Sequence, residues 1–246
     1  MRRFITIVTI GFFIGVILIP LNPVHIRPLQ LAFLGCAAGV WSGTLYLLWK
    51  QKLVRIALLI LACLMAVPFI LPGGEINVTE LRNDYVRRMI EFEGTTYHWG
   101  GESSNGIDCS GLPRKALREA LFWYGARHAN GRACRMYLEQ WWFDSSAKAL
   151  GSGYRDYAVA IGINGRICKM DYTDLIPGDL AVTTNGAHVL AYIGDGKWIQ
   201  ADPGIGQVTT LDGHTDENLW FDMPVTTHRW SVLNDSENRP VIRTSN

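Results

Sequence analysis

The chain has 246 residues, room for one modest domain and a further segment, and its 23 basic and 22 acidic residues leave a net charge of +1. That balance excludes a protein held to polyanions by bulk charge, and no basic patch interleaved with aromatics points to nucleic acid. The charges are unevenly spread: residues 1–72 hold six basic residues and no Asp or Glu, whereas the remainder sets 22 acidic residues against 17 basic ones.

Three apolar runs fill the first segment, at about 4–21, 29–49 and 53–72. As helices, each would cross a hydrocarbon core of ~30 Å, and none carries a polar stripe at helical period. Residues 1–72 are therefore read as an all-α membrane region of three transmembrane helices in contact with membrane lipids. The opening Met-Arg-Arg before an apolar run also fits a signal peptide. No small-x-small cleavage site follows it, so the first helix is expected to be retained. Arg2, Arg3, Lys50, Lys52 and Arg55 gather at one end of the spans and Arg27 stands alone at the other. The positive-inside rule then puts the N-terminus in the cytoplasm and everything after Gly73 on the extracytoplasmic side. Gly35, Gly39 and Gly43 recur every fourth residue on the second span, which permits close helix approach, within the chain in preference to between chains. No pattern sets an oligomeric state.

Residues 73–233 read as a second domain. Asn77 with Glu80 resembles a capping box opening a helix to about Phe92, with Leu81, Tyr85, Met89 and Phe92 on one face and Gly94 as its stop. The stretch 97-YHWGGESSNGID-108 is a loop. A second helix begins near Cys109, buries Leu112, Ala116, Leu117, Ala120 and Leu121, tolerates Pro113 in its first turn and ends at Gly125. A further helix is expected over 137–150, and then strands over 179–184, 187–194, 197–202, 206–211 and 228–233. The Gly194-Asp195-Gly196 turn pairs the second strand with the third. Helices followed by an antiparallel meander make an α+β domain, and residues 234–246 form a polar tail. Trp99, Trp141, Trp142, Trp198, Trp220 and Trp230 are read as core or rim residues ahead of a sugar-binding cleft.

Five cysteines are present. Cys36 and Cys63 lie within the spans as packing residues. Cys134 and Cys168 fit either a disulfide or two free buried thiols. No Cys or His spacing suggests a metal, and no cofactor is implied. Cys109 differs, because it sits where a glycine-punctuated loop turns into a helix, and a helix N-terminus favours a thiolate. A cysteine nucleophile also needs an imidazole to take its proton and a third polar group to fix the ring. Of the six histidines, His188 opens an otherwise apolar strand. Gln200 falls near it across the hairpin if the strands are slightly staggered, and Asp202 is the rival orienting group.

The stretch 97-YHWGGESSNGIDCSGL-112, followed by 177-PGDLAV-182 and 188-HVLAYIGDGKWIQA-201, resembles the NlpC/P60 family of papain-like cysteine peptidases. The resemblance implies a papain-like α+β fold and hydrolysis of peptide or isopeptide bonds in peptidoglycan stem peptides through a thioester. It implies Cys109 as nucleophile, His188 as general base and Gln200 as the ring-orienting group. It further implies Tyr97 facing the oxyanion region, and Asp108 with Ser110 holding the free amine of a stem peptide. Gln200 stands where many members have histidine, and 141-WWFD-144 has no family counterpart and is expected to wall the substrate cleft. The alternatives are an acyltransferase or amidase on the same cysteine–histidine scaffold, or an inactive module that binds wall peptide.

Overall fold

A computed structural model describes residues 1–234; the rest of the polar tail lies outside the described residues. Three long apolar helices come first: α1 (Arg2–Leu18, extended by a 3-10 turn over Ile19–Leu21), α2 (Arg27–Leu47) and α3 (Lys52–Ile70). By length and composition each can cross a membrane. They bury none of their own residues except Gln30, as expected of helices whose apolar surface has lipid for solvent. The glycine ladder packs α1 on α2. A Cβ on Gly39 would strike the Phe12 ring at 2.3 Å and one on Gly43 would strike Thr9 at 2.1 Å, while Gly35 faces open space. Arg2 donates to the carbonyl of Leu47 at 3.0 Å, which brings the basic ends of α1 and α2 together.

The second part is α+β. Helix α4 (Val78–Glu91) is capped as expected: the Asn77 side chain accepts from Glu80 N–H at 3.0 Å. The reciprocal half of the capping box is absent, because Asn77 N–H goes to the Tyr124 hydroxyl at 2.8 Å and Glu80 pairs with His128. Two short strands, β1 (Glu102–Ser103) and β2 (Gly106–Ile107), lead to α5 (Gly111–Arg127). Gly125 does not end that helix. It is where α6 approaches, and a Cβ there would meet Cys134 Sγ at 2.6 Å. The helix expected over 137–150 is two: α6 (Gly131–Trp142) and α7 (Ala147–Gly151). The break falls at 143-FDSS-146, where Ser146 caps the next helix by accepting from Ala149 N–H.

A six-stranded antiparallel sheet follows, in the order β3-β8-β4-β5-β6-β7. Strand β3 (Ala158–Arg166) was not expected, and β8 (Pro224–Trp230) starts four residues before the expected 228. Between them, β4 (Leu180–Thr183), β5 (Val189–Gly194), β6 (Lys197–Asp202) and β7 (Gln207–Asp212) form the meander. Alternate residues face opposite cores. Val189, Ala191, Ile199 and Ala201 pack toward α4 and α5, while Leu190, Tyr192 and Trp198 pack with Phe221 and Val225 on the other face. In the Pro-Gly-Asp-Leu segment, Asp179 receives Arg229 at 2.6 and 2.8 Å and Ile176 N–H at 2.9 Å, so this carboxylate closes a turn and ties it to β8.

Candidate active site

Cys109 lies between the 97–108 loop and α5, and the local structure is built by its neighbour. Asp108 Oδ1 accepts from Gly111 N–H at 2.5 Å and from the Ser110 hydroxyl at 3.0 Å, while Oδ2 accepts from Gly100 N–H at 2.9 Å. One carboxylate thus caps α5 and pins the preceding loop to it. Gly111 must lack a side chain there, since a Cβ would sit 2.2 Å from the Gly101 carbonyl oxygen.

Cys109 is buried. Its sulfur meets the backbone N–H of Val189, the residue after His188, together with those of Ser110 and its own. The helix start was expected to favour the thiolate. Burial outweighs it: desolvation, with the Asp108 charge adding to it, pushes the thiol up to about 12 against the pull of those N–H groups. Burial also lowers His188 to about 4, opposed by Gln200 and by the Asp202 charge. The resting groups are therefore a thiol and a neutral imidazole.

The stagger needed to join His188 to Gln200 comes from a bulge. Ala191 is opposite Ile199, but the register shifts between Tyr192 and Gly194. Continued back, the first register makes His188 and Gln200 diagonal neighbours on one face. His188 Nε2–H donates to Gln200 Oε1 at 2.6 Å, and Gln200 Nε2 donates to Asp202 Oδ2 at 3.3 Å. A carboxylate only accepts, so Asp202 forces the Gln200 nitrogen toward itself and the Gln200 oxygen toward the ring. The imidazole must then carry its proton on Nε2, which leaves the Nδ1 lone pair free as a base. Asp202 was weighed as a rival to Gln200; the two act in series.

Two further residues were not singled out from the sequence for this role. Trp220 stacks on the His188 ring, centroids 4.0 Å apart and planes 14° apart. Asn218 donates to Asp202 Oδ2 at 2.8 Å. Both come from the loop between β7 and β8, which has no periodic signature. Tyr97 is half-buried, and burial with the nearby Cys109, Asp108 and Asp202 raises its phenol to about 12, so it stays protonated. The other five histidines are engaged elsewhere: His25 with Glu102, His98 with the Trp99 carbonyl, His128 with Glu80, His214 on the Tyr172 ring and His228 with Thr226. All five cysteines are free, Cys134 and Cys168 included.

The segment 141–144 turns toward the apolar N-terminal helices. Trp141 O accepts from Gln30 Nε2 at 2.5 Å, the Arg27 guanidinium lies 4.8 Å from the Trp142 ring centre, and Asp144 pairs with Arg114. Beneath it Glu102 is fully buried against Arg114, Arg118 and His25. Burial alone would raise this carboxyl, but the Arg114 and Arg118 guanidiniums, with the contact to His25, hold it far below the usual carboxylate range.

The profile of the NlpC/P60 family matches residues 94–223. Among solved structures, NlpC1 from Trichomonas vaginalis is 19% identical over 61% of this chain and 43% of its own, with a TM-score of 0.40. The peptidoglycan hydrolase RipB from Mycobacterium tuberculosis is 21% identical over 61% of this chain and 65% of its own, with a TM-score of 0.36. The P60 domain of an antigen from M. avium subspecies paratuberculosis is 18% identical over 65% of this chain and 100% of its own, with a TM-score of 0.39. The chain thus spans 43% and 65% of the lengths of the first two. No curated protein matches.

Proposed function

The chain belongs to the NlpC/P60 family, and from that premise we propose that it is a membrane-anchored cysteine peptidase of peptidoglycan stem peptides. Cys109 sulfur attacks the scissile carbonyl carbon while its proton passes to His188 Nδ1. The resulting oxyanion is held by the Tyr97 hydroxyl and the Cys109 N–H, donors of a kind worth about 3 kcal/mol each. His188 returns the proton to the leaving amine as the C–N bond breaks. Neutral His188 then takes a proton from water, whose oxygen displaces the thioester sulfur and frees the new carboxylate and the thiol. Asp108 keeps one acceptor site on Oδ2, and Ser110, having donated to Asp108, can only accept from a substrate. Both suit the ammonium of a stem peptide. Three apolar helices support the anchor, and the five basic residues at one end against Arg27 at the other support an extracytoplasmic site.

The observations that carry this reading are the backbone N–H of Val189, the residue after His188, acting on the Cys109 sulfur, and the His188 tautomer that Gln200 and Asp202 set. Cys109→Ala should abolish turnover of purified muropeptides, followed by mass spectrometry, and leave the circular dichroism spectrum unchanged. Retained turnover in that variant ends the proposal. The buried, protonated thiol favours a second reading, an inactive module that grips wall peptide. It requires wild type to bind muropeptide without releasing product.

A further inference from the structure

The outer ends of the three helices, at Leu21, Arg27 and Ile70, lie at one level if the spans share a membrane, and the α+β domain is fastened to that level at both places where the chain emerges. At the α1–α2 turn, Val24 forms a single antiparallel bridge with Gly101, the residue before β1. His25 N–H donates to Gly100 O at 3.0 Å, Glu102 N–H donates to Pro23 O at 2.9 Å, and Asn105 Nδ2 donates to Leu21 O at 3.2 Å. The side chains repeat the connection through His25 Nδ1 and Glu102 Oε2 at 2.9 Å. At the end of α3, Gly131 N–H donates to Pro72 O at 3.0 Å, and Arg135 donates to the carbonyls of Pro68 and Leu71 at 3.1 and 3.0 Å. Neither exit leaves slack for the domain to rise.

From this level to the nucleophile the path is short. Gly101, paired with Val24, accepts from Asp108 N–H at 3.0 Å, and Cys109 is the next residue. From Val24, two strand spacings and one residue step amount to about 13 Å, and the three residues between Val24 and either helix end add at most about 10 Å. A headgroup layer occupies roughly 5–8 Å beyond the hydrocarbon. The thiol therefore stands within about 18 Å of the headgroup surface. An extended pentapeptide reaches about 17 Å, enough to bring its bonds to Cys109 while its other end stays in the lipid surface.

We propose that the substrate is a stem peptide carried on a membrane-anchored amphiphile and cut at the outer headgroup surface, ahead of peptide in a polymer farther out. This rests on the peptidase reading above. The test uses the full chain in proteoliposomes and one disaccharide–pentapeptide in three forms: joined through pyrophosphate directly to an isoprenoid lipid, joined through a flexible spacer roughly 30 Å long, and free in solution. Confinement to the membrane raises encounter for both lipid-linked forms alike, so the comparison between them reads the height of the site. The directly linked form should show kcat/KM about tenfold above the spaced form. Equal or faster turnover of the spaced form, or faster turnover of the free form than of either, overturns the inference and leaves the peptidase reading standing. No turnover of any form, the free peptide included, sinks the peptidase reading and this inference with it.

Discussion

Asp202→Asn changes one atom and should invert the hydrogen-bond chain that sets the His188 tautomer. The carboxylate is buried and accepts five donors: Gly204 N–H at 2.7 Å, Ile205 N–H at 3.3 Å and Trp220 Nε1 at 3.4 Å on Oδ1, and Asn218 at 2.8 Å and Gln200 at 3.3 Å on Oδ2. The two backbone donors cannot turn round, so the asparagine oxygen must stay with them, and its amide nitrogen then faces the Gln200 nitrogen. Gln200 relieves the clash by rotating its amide. It thereby presents N–H to His188 Nε2 and drives the imidazole proton onto Nδ1, the nitrogen needed as base. Recovering the productive tautomer forfeits about two hydrogen bonds and restores a donor–donor contact, about 3–4 kcal/mol, or roughly 10²–10³-fold in kcat. KM should move little, since the substituted atom lies behind the imidazole. Adding Gln200→Glu to Asp202→Asn supplies an acceptor to both His188 Nε2–H and the new amide, and should recover much of kcat. Muropeptide turnover by chromatography with mass detection reads all three proteins. A folded Asp202→Asn single variant within about threefold of wild-type kcat would refute the relay.

Two other expectations concern stability. Burial holds His188 at about 4 against its ordinary 6.5. Between those values the unfolded chain binds a proton that the folded chain refuses, so stability should fall as pH drops from about 6.5 to about 4 and level off below, by about 3 kcal/mol in all. Thermal melts across that range should show the slope, and His188→Gln should flatten it; an unchanged slope in the variant refutes the assignment. Glu102→Gln leaves Arg118 buried without its carboxylate and Arg114 with Asp144 alone. It should cost about 3–5 kcal/mol, lowering Tm by about 10 °C, and a Tm shift near zero would mean that the cluster contributes nothing net.

What could be read from the chain follows the physics of local order. The three long helices are legible because unbroken apolar runs of that length have few other uses, and β6 was bounded at both ends because a glycine turn precedes it and its residues alternate between two cores. The His188–Gln200 contact was legible by counting from the turn, although the bulge that makes it possible was not. Strand β3 carries Val159, Ile161 and Ile163 at period two, but Gly162 at φ +84° and a register shift between Ala160 and Asn164 interrupt the signal. The helix over 137–150 failed for the opposite reason. Its composition suits a helix throughout, and only the competing side-chain bonds of 143-FDSS-146 divide it.

The docking of the α1–α2 turn on the 100–105 loop is a different kind of omission. Its partners lie some eighty residues apart and share no period, so no window of sequence contains both. Yet the chain holds a trace of it in polarity. Gln30 sits in the first turn of a span, where a polar side chain facing lipid would be costly, and it is the one buried residue of the three helices. Glu102 follows a glycine-rich loop that would otherwise be solvent-exposed, but it is fully buried against Arg114, Arg118 and the His25 of the turn. Polar residues at places where their local setting gives them no partner imply a partner brought from elsewhere in the chain. Here that partner links the α1–α2 turn to the residues that hold Asp108, so the three apolar helices and the candidate nucleophile belong to one connected structure.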